Sequence, residues 1–202
     1  MSVSFKESQT KDNLMRAFAG ESQARNRYTI AAEEAEKQGM YAIRDILLFT
    51  ADQERAHAER YYELLKELSG ETIYIDGGYP VDLQDTLEEL LRAAEHNEKE
   101  EYEDVYQKFG DVAKEEGFHE VASAFYQIAE VEHTHQLRFA KVADMLRDGT
   151  FYENPAGGKW MCTNCGYIHE GKSVPKVCPV CRHEQGFFIP LELVCYTGGV
   201  VK

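Results

Sequence analysis

Apolar residues recur three and four positions apart through most of the chain up to Gly149, the spacing of one buried face on a helix. The pattern breaks at Gly39, at Ser69-Gly70 and at Gly117-Phe118. It predicts four helices: about Asp12 to Gln38, Met40 to Leu68, Asp82 to Gly110 or Glu116, and Gly117-Phe118 to Gly149. Capping-type residues stand near Asn13 and Asp82, and glycines mark the far ends. Breaks as tight as Gly39 and Gly117 fold consecutive helices back antiparallel. The stretch 69–82 is longer, and at about 3.3 Å per extended residue it reaches roughly 46 Å. The second helix, rising about 1.5 Å per residue, is roughly 43 Å long, so that stretch can return along the whole bundle. Two antiparallel pairs joined by one long crossover make an all-α four-helix bundle of the ferritin-like arrangement.

The buried faces carry acids where oil is expected. Glu21 shares its face with Leu14, Ala17, Phe18, Ala24, Tyr28 and Ala35. Glu54 shares one with Ile43, Leu47, Ala51, Tyr61, Leu65 and Leu68, and His57 follows three residues later. The third stripe runs Leu87, Leu91, Ala94, Glu98, Glu101, Val105, Phe109, Val112, and the fourth Val121, Phe125, Ile128, Glu132, His135, Phe139, Val142, Leu146. Glu-x-x-His sets both side chains on one face a turn apart. Neighbouring pairs compete for the register. Glu130 and His133 have the same spacing but sit beside Gln127, Lys141 and Thr134, nearer solvent; Glu95 could replace Glu101 beside Glu98, since Leu91, Tyr102 and Tyr106 share its side.

A single Glu on a helix is ordinarily a solvated residue or half of a surface ion pair. Four helices that each bury one at comparable depth need a shared counter-charge, because a buried carboxylate without a partner is very costly. No matching set of Lys or Arg lies on the stripes, so a metal cluster is the economical answer. Five carboxylates and two imidazoles suit two ions of the iron or manganese type. Thiolates are absent from this half, and a calcium or magnesium cage would not favour imidazole.

Composition changes near residue 148: four of the five prolines and all five cysteines follow it. The expected organisation is a bundle over 1–148, a glycine-spotted linker over 149–158, and a small metal domain over 159–202. Cys162-x-x-Cys165 and Cys178-x-x-Cys181 form two knuckles, and four thiolates so arranged close a tetrahedral site for zinc or a single iron. Zinc would make the segment a structural staple; iron would make it a one-electron relay. Trp160, Tyr167, Phe187 and Phe188 are its expected core, and Cys195 is expected to pack as a small buried hydrophobe.

Charge narrows the partners. Lys plus Arg total 22 against 36 Asp plus Glu, a net charge of −14, which argues against nucleic acid. The longest apolar runs are four residues, far below the ~20 that span a bilayer, and the first residues show no signal core, so a cytoplasmic protein is expected. Neither Gly-x-Gly-x-x-Gly nor a P-loop is present, so reducing equivalents are expected from a separate donor.

Over almost its whole length the chain resembles the rubrerythrin family. Residues Ala19 to Tyr28, Glu54-Arg-Ala-His57 and Glu132-His-Thr-His135 resemble its ferritin-like diiron domain, and Lys159 to Tyr167 with Cys178-Pro-Val-Cys181 its rubredoxin-like domain. The resemblance implies a diiron site on Glu21, Glu54, His57, Glu98, Glu101, Glu132 and His135, with Tyr28 and Tyr106 beside it. It also implies one iron on Cys162, Cys165, Cys178 and Cys181, and a peroxidase that reduces hydrogen peroxide to water in oxidative defence. Exchange of His57 and Glu101 as iron ligands, electrons from rubredoxin or an NAD(P)H-dependent reductase, and head-to-tail homodimers are further implications. Asn97 stands where the family usually has glycine, and the tail beyond Leu191 has no counterpart. A ferritin-like ferroxidase with a structural zinc site is the alternative, and a zinc-ribbon scaffold with a structural bundle metal a third reading.

Overall fold

A computed structural model describes residues 3–197. Four long antiparallel rods form the bundle. Helix α1 (Gln9–Lys37) starts three residues before the expected Asp12, because Ser8 caps it by accepting the Lys11 N–H. Helix α2 (Tyr41–Leu64) ends in a 3-10 turn, Lys66–Leu68. The third rod is in pieces: α3 (Leu87–Glu100), a π-helical turn (Glu101–Val105) and α4 (Tyr106–Glu115). It begins at Leu87 rather than Asp82 because Thr86 and Glu89 make a reciprocal capping box. Helix α5 (His119–Arg147) is the fourth rod. The tight turns are possible because Gly39 and Gly117 adopt φ of +69° and +91°.

The π turn alters the buried face. The apolar spacing predicts Val105, Phe109 and Val112 inside, but Tyr106, Gly110 and Ala113 are the buried residues of α4. A π turn holds one extra residue, so every position beyond it slips by one. The seam of α3 (Leu91, Ala94, Glu98) thus continues in phase through Tyr106.

Two apolar clusters fill the bundle. One contains Ile43, Ile46, Leu91 and Phe139; the other contains Leu14, Tyr61, Tyr106 and Phe125. The acidic and imidazole side chains lie between them. Residues 71–84 form no regular element and carry the crossover along the bundle, fixed to α1 by Arg16.

The C-terminal unit is a three-stranded antiparallel sheet in the order β2-β1-β3: β1 (Glu153–Cys162), β2 (Ile168–Ser173) and β3 (Phe188–Pro190). Strand β1 begins inside the stretch expected as linker, since Glu153 already pairs with Ser173. Trp160, Val174 and Phe188 bury with Cys162 and Cys178 as a core, with Tyr167 and Phe187 packed at its edge. The unit leans on the bundle: Ile189 and Leu193 join the cluster of Ile43 and Phe139, and Phe187 stacks on Tyr41 with ring centroids 4.3 Å apart. A 3-10 segment, Leu191–Thr197, closes the described chain. Its Leu193 points inward and Cys195 is exposed, which corrects the expectation of a buried thiol. On so short a turn one face suffices for the core, and Leu193 occupies it.

Candidate metal centre

Each rod brings its acid to the same level. Glu21, Glu54, Glu98 and Glu132 are each no more than 1% exposed, and His135 is fully buried. Glu101, on the π turn, is only partly buried. Helical spacing orients the pairs: His57 follows Glu54 and His135 follows Glu132 by three positions on α2 and α5.

The donor atoms divide into two groups that share two carboxylates. Glu21, Glu54, His57 and Glu132 form one; Glu54, Glu98, Glu132 and His135 form the other, with ligand atoms in each within 4.8 Å of one another. His57 Nδ1 lies 3.2 Å from Glu54 Oε2 and 2.9 Å from Glu132 Oε1. His135 Nδ1 lies 2.9 Å from Glu54 Oε1 and 2.8 Å from Glu132 Oε2. Glu54 and Glu132 therefore each turn one oxygen to either side, which is how bridging carboxylates hold two adjacent cations. Glu21 belongs to the first group alone and Glu98 to the second alone.

The hydrogen bonding of the cluster tests whether ions fit. Glu21 Oε2, Glu54 Oε1, Glu98 Oε2, both Glu132 oxygens and His135 Nδ1 are buried and accept or donate no hydrogen bond. Donor atoms this numerous, buried and converging, are what a cation pair would satisfy. Burial and the neighbouring Glu132 charge hold the Glu21 carboxyl well above its usual range. Burial and Glu54 push Glu98 up to about 8. Burial acts against Glu54 too, but His135 and His57 outweigh it and hold that carboxylate below its usual range. Burial disfavours charge on both imidazoles, yet the facing carboxylates raise His57 and His135.

Tyrosines fix Glu21 and Glu98. The Tyr28 hydroxyl donates to Glu98 Oε1, and the Tyr106 hydroxyl to Glu21 Oε1 at 2.7 Å. Both phenols are held protonated by burial among acids. Glu95 takes no part, since it pairs with Arg92 at 2.8 Å, and Glu130 is exposed.

Three contributors were not foreseen from the sequence. His135 Nε2 donates to Gln53 Oε1 (3.1 Å), which also accepts from Arg138 Nη1 (2.8 Å), while the same nitrogen donates to Thr50 Oγ1 (2.6 Å). This chain fixes which imidazole nitrogen faces the carboxylates. Arg138 is a buried arginine on α5, but its guanidinium packs on the rings of Phe49 and Tyr196 and bonds no carboxylate among the described residues. The spacing from Glu132 through His135 to Arg138 was the available signal.

The four cysteines are unpaired thiols gathered at one point. Cys162 and Cys181 sulfurs are 3.7 Å apart, as are those of Cys165 and Cys178. Sulfurs around a tetrahedral ion with bonds near 2.3 Å lie about 3.8 Å apart, so the set fits one. Each knuckle closes with a backbone N–H on the first cysteine's carbonyl: Gly166 to Cys162 (2.8 Å) and Arg182 to Cys178 (3.1 Å). Arg182 takes φ +66° there, an uncommon conformation for a side-chain-bearing residue. Burial raises the Cys162 thiol to about 12, whereas the His183 N–H draws Cys181 down to about 5.

Known proteins match this arrangement. The Rubrerythrin family profile covers residues 12–143, and the rubredoxin-like domain of rubrerythrin covers residues 160–189. Rubrerythrin-1 of Clostridium acetobutylicum is 46% identical over 187 residues, 92% of this chain and 95% of the relative. Rubrerythrin of Porphyromonas gingivalis is 41% identical over 192 residues, 95% and 94% of the two chains. Nigerythrin in a mixed-valence state superposes with a TM-score of 0.61 at 25% identity, over 91% of this chain and 90% of its own. The open-pore ferritin of Archaeoglobus fulgidus, at 15% identity, a TM-score of 0.59 and coverage of 72% and 87%, shares the fold. The carboxylate–imidazole cluster is thus a diiron site and the four thiolates a rubredoxin-like site, and the chain belongs to the rubrerythrin family.

Proposed function

We propose that this protein is a non-haem diiron peroxidase that reduces hydrogen peroxide to water in oxidative defence, with electrons supplied through the four-cysteine iron. The observation that carries this reading is the presence, in one chain, of a two-cation carboxylate site and a tetrathiolate site that a storage protein would not need. Cleaving the O–O bond of one peroxide to two waters takes two electrons and two protons. Two irons held by Glu21, Glu54, His57, Glu98, Glu132 and His135 would supply those two electrons, and an iron held by Cys162, Cys165, Cys178 and Cys181 would supply single electrons to restore them.

The chain's own groups hold that chemistry in place. Glu54 and Glu132, shared by both donor groups, would hold two cations together, and Glu21 and Glu98, steadied by the Tyr106 and Tyr28 hydroxyls, would complete one group each. The four rods exclude bulk water from all but Glu101 and the edge of His57. The small unit docks at Gly39 and Tyr41, about 20 Å along α2 from Glu54 at 1.5 Å per residue. Electron tunnelling falls off exponentially with distance, and this favours a head-to-tail homodimer in which the tetrathiolate of one subunit serves the cluster of the other. The external donor is a rubredoxin or an NAD(P)H-dependent reductase. No helix among the described residues is long and apolar enough to cross a membrane.

Anaerobically purified, iron-loaded protein given a reductase and NADH is expected to consume one peroxide per NADH. Rapid reoxidation by oxygen with indifference to peroxide would instead identify a ferroxidase.

A further inference from the structure

A cavity of about 230 Å³ lies between α1, the crossover segment and the π turn. Ala17 and Gly20 of α1, Tyr79 of the crossover, and Asn97 and Glu101 line it. Tyr106 lines this cavity and donates its hydroxyl to Glu21 Oε1 at 2.7 Å, so the cavity reaches the edge of the cluster. Glu101, an expected ligand that lies outside both donor groups, lines the cavity and is only partly buried. A water molecule takes about 30 Å³ of liquid, so the space admits several waters or one small polar molecule.

The walls are fixed. Arg16 Nη2 donates to Asp76 Oδ1 (2.7 Å), and the Tyr79 hydroxyl donates to the Arg16 carbonyl (3.1 Å). At the end of the crossover, Asp82 Oδ2 accepts from Arg27 Nη1 (2.6 Å) and from Asn97 Nδ2 (2.7 Å), tying the segment to α1 and α3. Arg27 Nε, also on this cavity, is buried without an acceptor. A Cβ built on Gly20 would stand 3.8 Å from the Tyr79 ring, so any longer side chain there grows into the space.

We propose that this cavity is the route by which peroxide reaches the metal centre, arriving at Glu101, and that its walls restrict the oxidant to hydrogen peroxide and similarly small hydroperoxides. The identity of the oxidant rests on the peroxidase reading; the route does not. Arg27 Nε, buried and without an acceptor, is the donor open to a molecule whose two oxygens offer lone pairs. Gly20 keeps the passage open, and Tyr79 sets the size of its mouth.

The test is Gly20→Leu, a change that favours helix and therefore folding. Azide association with the oxidised, iron-loaded protein, followed by its charge-transfer absorbance, is expected to slow at least about tenfold at unchanged iron content. Reoxidation of the reduced protein by hydrogen peroxide should slow by the same factor, with Gly20→Ala in between. Gly78→Leu fills the space from the opposite side, where no atom lies within 4 Å of a built Cβ, and is expected to act alike. Tyr79→Ala should speed reoxidation by cumene hydroperoxide about tenfold and leave azide unaffected. Azide association at the normal rate in both filled variants would overturn the route. Slowed azide in a protein whose reduced form ignores peroxide would uphold the route and remove the peroxidase reading instead.

Discussion

Glu130 and Glu132 stand two positions apart on α5 and end in opposite surroundings, one exposed and one fully buried between His57 and His135. That difference was legible in the sequence because Glu132 falls on an apolar stripe and Glu130 beside polar residues. Glu132→Ala is expected to lose most of the bundle iron by metal analysis, whereas Glu130→Ala keeps it; equal loss in both would overturn the assignment of the bridging carboxylate. Gln53 and Arg138 were not legible in the same way. Gln53 is an unremarkable polar neighbour of Glu54, and the role of Arg138 depends on Phe49 and Tyr196 enclosing it, which spacing does not reveal.

At the scale of the elements, the four rods and their order follow from periodicity and from the glycines at the tight turns. The π turn does not. One extra residue within an acidic stretch, Glu100 to Asp104, leaves no mark on an apolar pattern, and only the slip from Phe109 to Gly110 on the buried face betrays it. Because the turn acts as an insertion, deleting the exposed Glu103 should bring α3 and α4 into one regular helix with both seams still facing the core. The expected variant folds with an equal or higher Tm, and its amides at 101–105 gain protection in hydrogen exchange. An unfolded variant would contradict this account of the turn. Helix starts were misplaced for a simpler reason: Ser8 and Thr86 outcompete Asn13 and Asp82 as caps, and Asp82 is engaged by Arg27 and Asn97.

Across the whole molecule, two metal units share one chain and meet at a contact of backbone on backbone. A Cβ on Gly186 would come within 1.6 Å of the Gly39 carbonyl oxygen, so the docking tolerates no side chain there. Neither glycine advertises this in the sequence, because each also reads as a turn residue. Gly186→Val is expected to release the C-terminal unit from the bundle while both metal sites stay filled. Limited proteolysis should then cut readily between residues 149 and 153, where the unmodified protein resists; unchanged resistance would mean the contact does not hold the units together. The tetrathiolate itself was plain from two Cys-x-x-Cys knuckles, since nothing but a metal requires four thiols at that spacing.

Buried acids on four helices are tolerated because two cations lie among them. Diffraction at the iron absorption edge from crystals grown with ample iron tests it directly. Two anomalous peaks about 3.5–4 Å apart are expected between Glu54 and Glu132, with a third among the four cysteine sulfurs. No peak within the bundle, with Glu54 and Glu132 turned out to solvent, would contradict it.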